Sequence, residues 1–190
     1  MVLELAGARL VAPSPAAEPY AWAALIAVTL TALAFGYWLG GKWSDRTPSP
    51  NVLFRILTAA ALLIAFVPVV RGIVATIATP LGPRAGSLVR ATLLFAAPIT
   101  LLGMAYPFAV RLRTQGLDSV GATTGRFGAI STAGSLAGTL VAGFLPVSTH
   151  VVPPVLIGSC VALLLPGLIH GWMRAREGVR PHVLHTREVA

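Results

Sequence analysis

YAWAALIAVTLTALAFGYWLGGKWSDR, residues 20–46, decides how this chain reads. No residue from Ala21 to Gly41 carries a formal charge. These 21 positions, at about 1.5 Å each, cover roughly the 30 Å of hydrocarbon in a bilayer. The exit carries Tyr37, Trp38 and Trp43, whose amphipathic rings suit the headgroup level, and Lys42, Asp45 and Arg46, which belong in water. The stretch reads as a transmembrane helix leaving the membrane on the cytoplasmic side.

The whole composition agrees with that reading. Of 190 residues 56% are hydrophobic and 11% charged, with a mean hydropathy of +0.81; soluble domains carry about 25% charged residues. The net charge of +8 does not point to nucleic acid, because the arginines are scattered over the ends of apolar segments without a basic stripe or an aromatic platform. Cys160, the one cysteine, lies among Ile157, Val161 and Leu163 and reads as a packing residue. The first dozen residues lack a basic segment before their apolar run and hold Glu4 and Arg9 within it, so they do not read as a cleavable signal.

Taken in order, the chain predicts an all-α, multi-pass transmembrane helix bundle. About five full spans follow a partial first one, with approximate bounds 1–13 (partial), 20–41, 52–70, 87–110, 126–147 and 155–172, and a basic cytoplasmic tail covers 173–190. Residues 72–86, broken by Pro80, Gly82 and Pro83, read as an interfacial excursion with Arg71 capping the preceding span in water. Pro98 and Pro107 predict a bent helix in the fourth segment. Under this topology ten of the 14 Lys and Arg lie inside, while Arg71, Arg84 and Arg90 lie outside and Arg9 sits within the first segment. The protein is thus expected in the cell membrane with its C-terminus cytoplasmic.

Three sets of residues are candidates for function. Glu4 and Arg9 fall inside the short first segment, where an ionisable group at mid-bilayer marks a functional site; the alternative is that both snorkel to a nearby interface. Gly41, Asp45 and Arg46 form a Gly-x-x-x-Asp-Arg turn, in which a helix-ending glycine and two charges can tie helix ends together. Ser131, Ser135, Thr139 and Gly143, with Gly134 and Gly138 on the adjacent face, recur every four residues, a small-xxx-small pattern that lets a second backbone approach. Packing is the preferred reading there, although such a face can also line a path.

Enzymatic constellations do not emerge. No glycine-rich nucleotide loop follows a strand, and there is no phosphate loop or Gly-x-Ser-x-Gly elbow. His182 and His185 lie three apart without carboxylates or cysteines nearby, and His150 and His170 sit at segment ends, so neither a metal site nor a cofactor is expected.

The Gly41 to Arg46 turn resembles the loop between the second and third helices of the major facilitator superfamily, where it stabilises one end of the transport cycle; here Pro48 and Pro50 replace that family's further glycine and basic residues. A wider set of motifs runs in the same order over residues 4–147. It comprises Glu4-Leu5-Ala6-Gly7-Ala8-Arg9-Leu10-Val11-Ala12-Pro13, Gly36-Tyr37-Trp38-Leu39-Gly40-Gly41, Pro107-Phe108-Ala109-Val110-Arg111-Leu112, Val120-Gly121, Gly125-Arg126, Ser131-Thr132-Ala133-Gly134-Ser135-Leu136-Ala137-Gly138-Thr139 and Gly143-Phe144. Together these resemble the membrane domain of the fused major-facilitator/spermidine-synthase-like proteins.

That resemblance implies a half-major-facilitator-like fold preceding a Rossmann-like domain that transfers an aminopropyl group from decarboxylated S-adenosylmethionine to putrescine. The matched stretch holds none of that catalytic domain, and only Glu177 and Glu188 are acidic beyond Trp172. The implied protein is therefore inactive alone and works with a separately encoded synthase-like partner. The alternative is a transporter or half-transporter for a small solute such as a polyamine, two copies in a homodimer forming one pathway; a third reading is a truncated gene product with no independent activity, against which an in-frame upstream start that restores the first helix would argue.

Overall fold

The computed structural model describes residues 2–12, 17–114, 120–144 and 158. Among the described residues every regular element is helical: α1 (Val2–Val11), α2 (Glu18–Arg46), α3 (Pro50–Ala78), α4 (Gly82–Ala91), α5 (Ala97–Arg113) and α6 (Val120–Phe144), with a 3₁₀ turn at Thr79–Leu81 and a π turn at Thr92–Ala96. Two continuous helical runs, Glu18–Arg46 and Pro50–Arg113, are long and apolar enough to cross a membrane. The expected segment 155–172 and the tail fall outside the described residues, apart from helical Gly158.

Proline begins both long helices. Pro19 lies in the first turn of α2 and Pro50 starts α3, positions where a missing N–H has no intrahelical partner to lose. Each helix has 29 residues, or about 43 Å of rise, longer than the hydrocarbon needs. Their extra turns carry the polar residues at the ends.

The side chains inside α2 are small. Ala21, Ala24, Ala32, Gly36, Gly40 and Ser44 are buried along one face, beside Leu25, Val28 and Thr29, while Ile26, Leu30, Phe35 and Trp38 are at least half exposed on the others. Large residues outside and small ones inside is the reverse of a water-soluble helix, and it lets backbones touch.

They touch at α5. A Cβ on Gly36 would collide with the Thr100 carbonyl oxygen, and one on Gly40 would lie 2.6 Å from Met104 Cα. Opposite them, a Cβ on Gly103 would come within 3.2 Å of the Leu33 carbonyl. Three glycines on two helices therefore make the α2–α5 crossing, and α3 packs against α5 from another side.

Helix α3 runs past Pro68 and Arg71 to Ala78, where the sequence predicts an end at residue 70 and an excursion over 72–86. One proline removes only local hydrogen bonding, and the exposed Arg71 side chain needs no buried partner. Hydroxyls in the added turns are satisfied internally: Thr76 Oγ1 donates to Gly72 and Ile73 carbonyls, and Thr79 Oγ1 donates to Ala75. The chain reverses at Gly82, whose φ of 74° lies in the region open to glycine. Helix α4 then returns along α3, with Gly86 so close that a Cβ would sit 2.6 Å from the Ala78 carbonyl oxygen.

Where the sequence predicts a bend at Pro98 and Pro107, a π turn stands just before Pro98 and α5 continues through Pro107. Pro98 is buried in the first turn of α5, and the wider turn at Thr92–Ala96 accommodates the interruption. Phe95, buried in that turn, receives α1: a Cβ on Gly7 would lie 3.0 Å from Phe95 Cζ. The main core gathers Val11, Leu25, Ile64, Val67 and Phe95, and a smaller cluster of Ile56, Met104 and Phe108 fills the opposite end of the same bundle.

Adjacent glycines give a direct test of this packing. Gly40→Val overpacks the α5 contact and is expected to destabilise the detergent-solubilised chain by about 1–3 kcal/mol. A Cβ placed on Gly41 would meet no atom within 4 Å, so this position should accept alanine with no loss, or a gain of about 0.5–1 kcal/mol from the helix interior. Thermal unfolding of the two variants in one detergent checks the contrast.

Candidate functional site

The C-terminal ends of α2 and α5 and the start of α6 meet at one end of the bundle. They enclose an open cavity of about 620 Å³ lined by Gly41, Ser44, Asp45, Tyr106, Pro107, Val110, Arg111, Thr114, Val120 and Thr124. Its volume falls in the ordinary range for small-ligand sites, about 300–1,000 Å³.

The α2 crossing positions one wall. Because Gly40 lies against Met104 and Pro107, the next face of the helix presents Gly41 and Asp45 to the cavity. Ser44 is buried and donates from Oγ to the Gly41 carbonyl at 2.9 Å, which satisfies a C-terminal carbonyl of the helix. Asp45 Oδ1 then meets Arg111 Nε at 3.5 Å across the gap to α5. With Arg111 50% and Asp45 75% exposed, the pair is wet, and such bridges contribute about 0–1 kcal/mol. It can open at little cost.

Tyr106 joins the second wall to the third. Its hydroxyl donates to the Thr124 carbonyl of α6 at 3.3 Å, while its ring lies 5.9 Å from that of Tyr37 at a tilt of 57°. Tyr106 thus reaches two partners of α5, using the ring on α2 and the hydroxyl on α6. The cavity offers one carboxylate, one guanidinium and several hydroxyls, an arrangement suited to holding a small polar or charged solute.

The sequence-predicted residues divide. Gly41 and Asp45 line the cavity, but Arg46 turns to a separate groove of about 400 Å³ with Trp38, Leu39, Lys42, Trp43 and Thr47, where Lys42 Nζ lies 5.3 Å over the Trp38 ring. Glu4 is half-buried in the first turn of α1; Arg9 belongs to the same helix, and its side chain lies outside the described residues. On α6, Ser131, Gly134 and Ser135 are exposed and Gly138 and Thr139 half-buried, whereas the surroundings of Gly143 are outside the described residues. Among the described residues no three His, Cys, Asp or Glu side chains come together as a metal site would require.

No protein family, curated protein or solved structure matches this chain. The site must therefore be read from its own chemistry.

Sequence reasoning missed Arg90. Placed by the sequence on the outer side, at the end of the bundle away from the cavity, it is only 6% exposed. One terminal nitrogen donates to the Val11 carbonyl at 3.3 Å and the other to Thr79 Oγ1 at 3.0 Å, while Nε has no hydrogen-bond partner. The cation therefore sits on the C-terminal carbonyl of α1, the negative end of that helix dipole, and ties it to the α3–α4 reversal. The available signal is periodicity: Gly86, Arg90 and Leu94 share a face at intervals of four, beside Ser87 and Ala91.

Two measurements follow from these contacts. A double-mutant cycle of Asp45→Asn and Arg111→Gln should give a coupling of no more than about 1 kcal/mol, weakening with added salt. Arg90→Met, which leaves the Val11 carbonyl without its donor, should cost about 1–3 kcal/mol in the same unfolding assay and be insensitive to salt.

Proposed function

We propose that the chain is a multi-pass protein of the cell membrane, the membrane domain of a synthase-like assembly, without catalytic activity of its own and working with a synthase-like partner. The observation that carries the membrane part is the inverted packing. Leu30, Leu62, Phe66, Val69, Ile73, Ile77 and Leu93 are all more than half exposed, whereas the buried face of α2 is mostly Ala, Gly and Ser and its crossing with α5 is made at Gly36, Gly40 and Gly103. A belt of that size needs an apolar surrounding. In this reading α2, α3 and α6 and the α4–α5 run are spans, and α1 is a short helix packed beside them. The ends of α2 and α5, with Lys42, Arg46, Arg111 and Arg113, face the cytoplasm by the positive-inside rule.

The synthase connection rests on the motif resemblance over residues 4–147, since the cavity holds no pair of carboxylates that could grip a diamine for transfer. The 620 Å³ cavity spanned by the Asp45–Arg111 pair favours a second reading, a half-transporter in which that weak bridge closes the cytoplasmic end for part of the cycle.

The two readings separate experimentally. The chain should remain in membranes after alkaline carbonate extraction, and its release would refute the membrane assignment. Reconstituted alone, it should make no spermidine from decarboxylated S-adenosylmethionine and putrescine. Capture from its native membrane of a protein with a glycine-rich nucleotide loop supports the assembly; saturable putrescine uptake into proteoliposomes, altered by Asp45→Asn, supports the transporter instead.

A further inference from the structure

A second concavity, of about 340 Å³, opens at the same end of the bundle between α5 and α6. Arg113, the last residue of α5, faces it together with Thr123, Arg126, Phe127 and Ile130 of α6. On the helix those four positions follow the i, i+3, i+4, i+7 rule and form a single stripe.

The stripe changes character along its length. Thr123 and Arg126 come first, nearest the helix start; Phe127 and Ile130 come deeper, and Ile130 is 64% exposed with no protein side chain covering most of its surface. From Arg126 to Ile130 the axis rises about 6 Å. The headgroup layer of a bilayer is about 5–7 Å thick on each side. A guanidinium at phosphate depth therefore places Ile130 at the top of the acyl chains. Meanwhile Asp45, the carboxylate at this end among the described residues, is held against Arg111 and pairs with neither Arg113 nor Arg126.

We propose that this concavity binds the phosphate of an anionic phospholipid such as phosphatidylglycerol, an inference that rests on the membrane reading above. The two guanidinium forks take the phosphate oxygens, the geometry for which arginine is suited beyond a simple point charge. The Thr123 hydroxyl can donate a further hydrogen bond, and Phe127 and Ile130 lie along the first methylenes of an acyl chain. A free phosphate has the same anionic chemistry and no use for the apolar half of the stripe. Basic concavities between helices at the cytoplasmic face are recognised lipid-headgroup sites in physical terms, because the charge is held where the anionic surface potential is strongest.

The test uses the full chain in neutral detergent, with phosphatidylglycerol, phosphatidylcholine and inorganic phosphate as separate probes and retained lipid read by native mass spectrometry. Phosphatidylglycerol should be retained in preference to phosphatidylcholine, and millimolar inorganic phosphate should not displace it. Arg113→Gln and Arg126→Gln should each weaken retention about fivefold and the pair on the order of 25-fold, while Arg71→Gln, in α3, leaves it unchanged. Both variants remove exposed side chains, and unchanged thermal unfolding confirms that they fold. Equal retention of the two lipids, or a double variant that binds like the parent, overturns the site. Displacement by inorganic phosphate overturns the lipid in favour of a free anion. Carbonate extraction of the same preparation keeps the two levels apart: a chain that stays in the membrane yet shows no lipid preference refutes only this site, and a chain that is released refutes the membrane reading beneath it.

Discussion

The backbone contact between α2 and α5 is the constraint on which the remaining structure depends. Gly36, Gly40 and Gly103 let the helix axes approach until carbonyls and Cα atoms touch, a distance that a Cβ on Gly36 or Gly40 would forbid and one on Gly103 would crowd. In an apolar surrounding there is little hydrophobic gain from bringing two helices together, so close van der Waals contact must supply the attraction. Once that crossing is made, its neighbours have little freedom. Helix α3 covers a second side of α5, the reversal at Gly82 brings α4 back against α2 and α3, and α1 closes over Phe95.

The same crossing fixes the cavity end. Gly40 against Pro107 sets the rotation of the last turns of α2, and that rotation decides which of the terminal polar residues face α5. Asp45 meets Arg111, whereas Arg46, its immediate neighbour in sequence, is carried round to the groove with Trp38 and Lys42. A strong dry contact thus holds a weak wet one in place. That pairing of rigidity and looseness is what a closable end requires, since a bridge contributing about 1 kcal/mol or less can break without disturbing the glycine seam behind it.

Much of this is legible in the sequence where the signal is local. The uncharged run from Ala21 to Gly41 with its aromatic and charged exit marks α2, and alternation of apolar runs with charged ends marks the helical class. Gly41, Asp45 and Arg46 stand out as a turn motif, yet α2 stays helical through all three and ends only at Thr47, and Gly41 and Asp45 line the cavity from its last turns. What stays hidden depends on other helices. Ala32, Gly36, Gly40 and Ser44 recur every four residues, the same pattern seen on α6, yet nothing local says which of two such stripes will find a partner. Arg111 can be placed at a helix end from sequence, but its partner on α2 is a tertiary fact. Residues 72–78 mislead because Arg71 and the prolines beyond it resemble an ending; a helix continues when its polar groups are satisfied by its own carbonyls, as Thr76 and Thr79 show.

Arg90 carries the argument one step further. A charge near an apolar segment is usually assigned to water, and the positive-inside count treats every arginine as solvated. Here the cation instead satisfies the end of α1 and the hydroxyl at the α3–α4 reversal, and the π turn begins two residues later. Helix α1 is only ten residues long and packs against α2, α4 and α6, with Gly7 on Phe95 and Leu25 and with Arg90 at its last carbonyl. The bundle therefore carries a buried cation on a helix dipole at one end and an exposed ion pair, beside the Gly40–Pro107 contact, at the other.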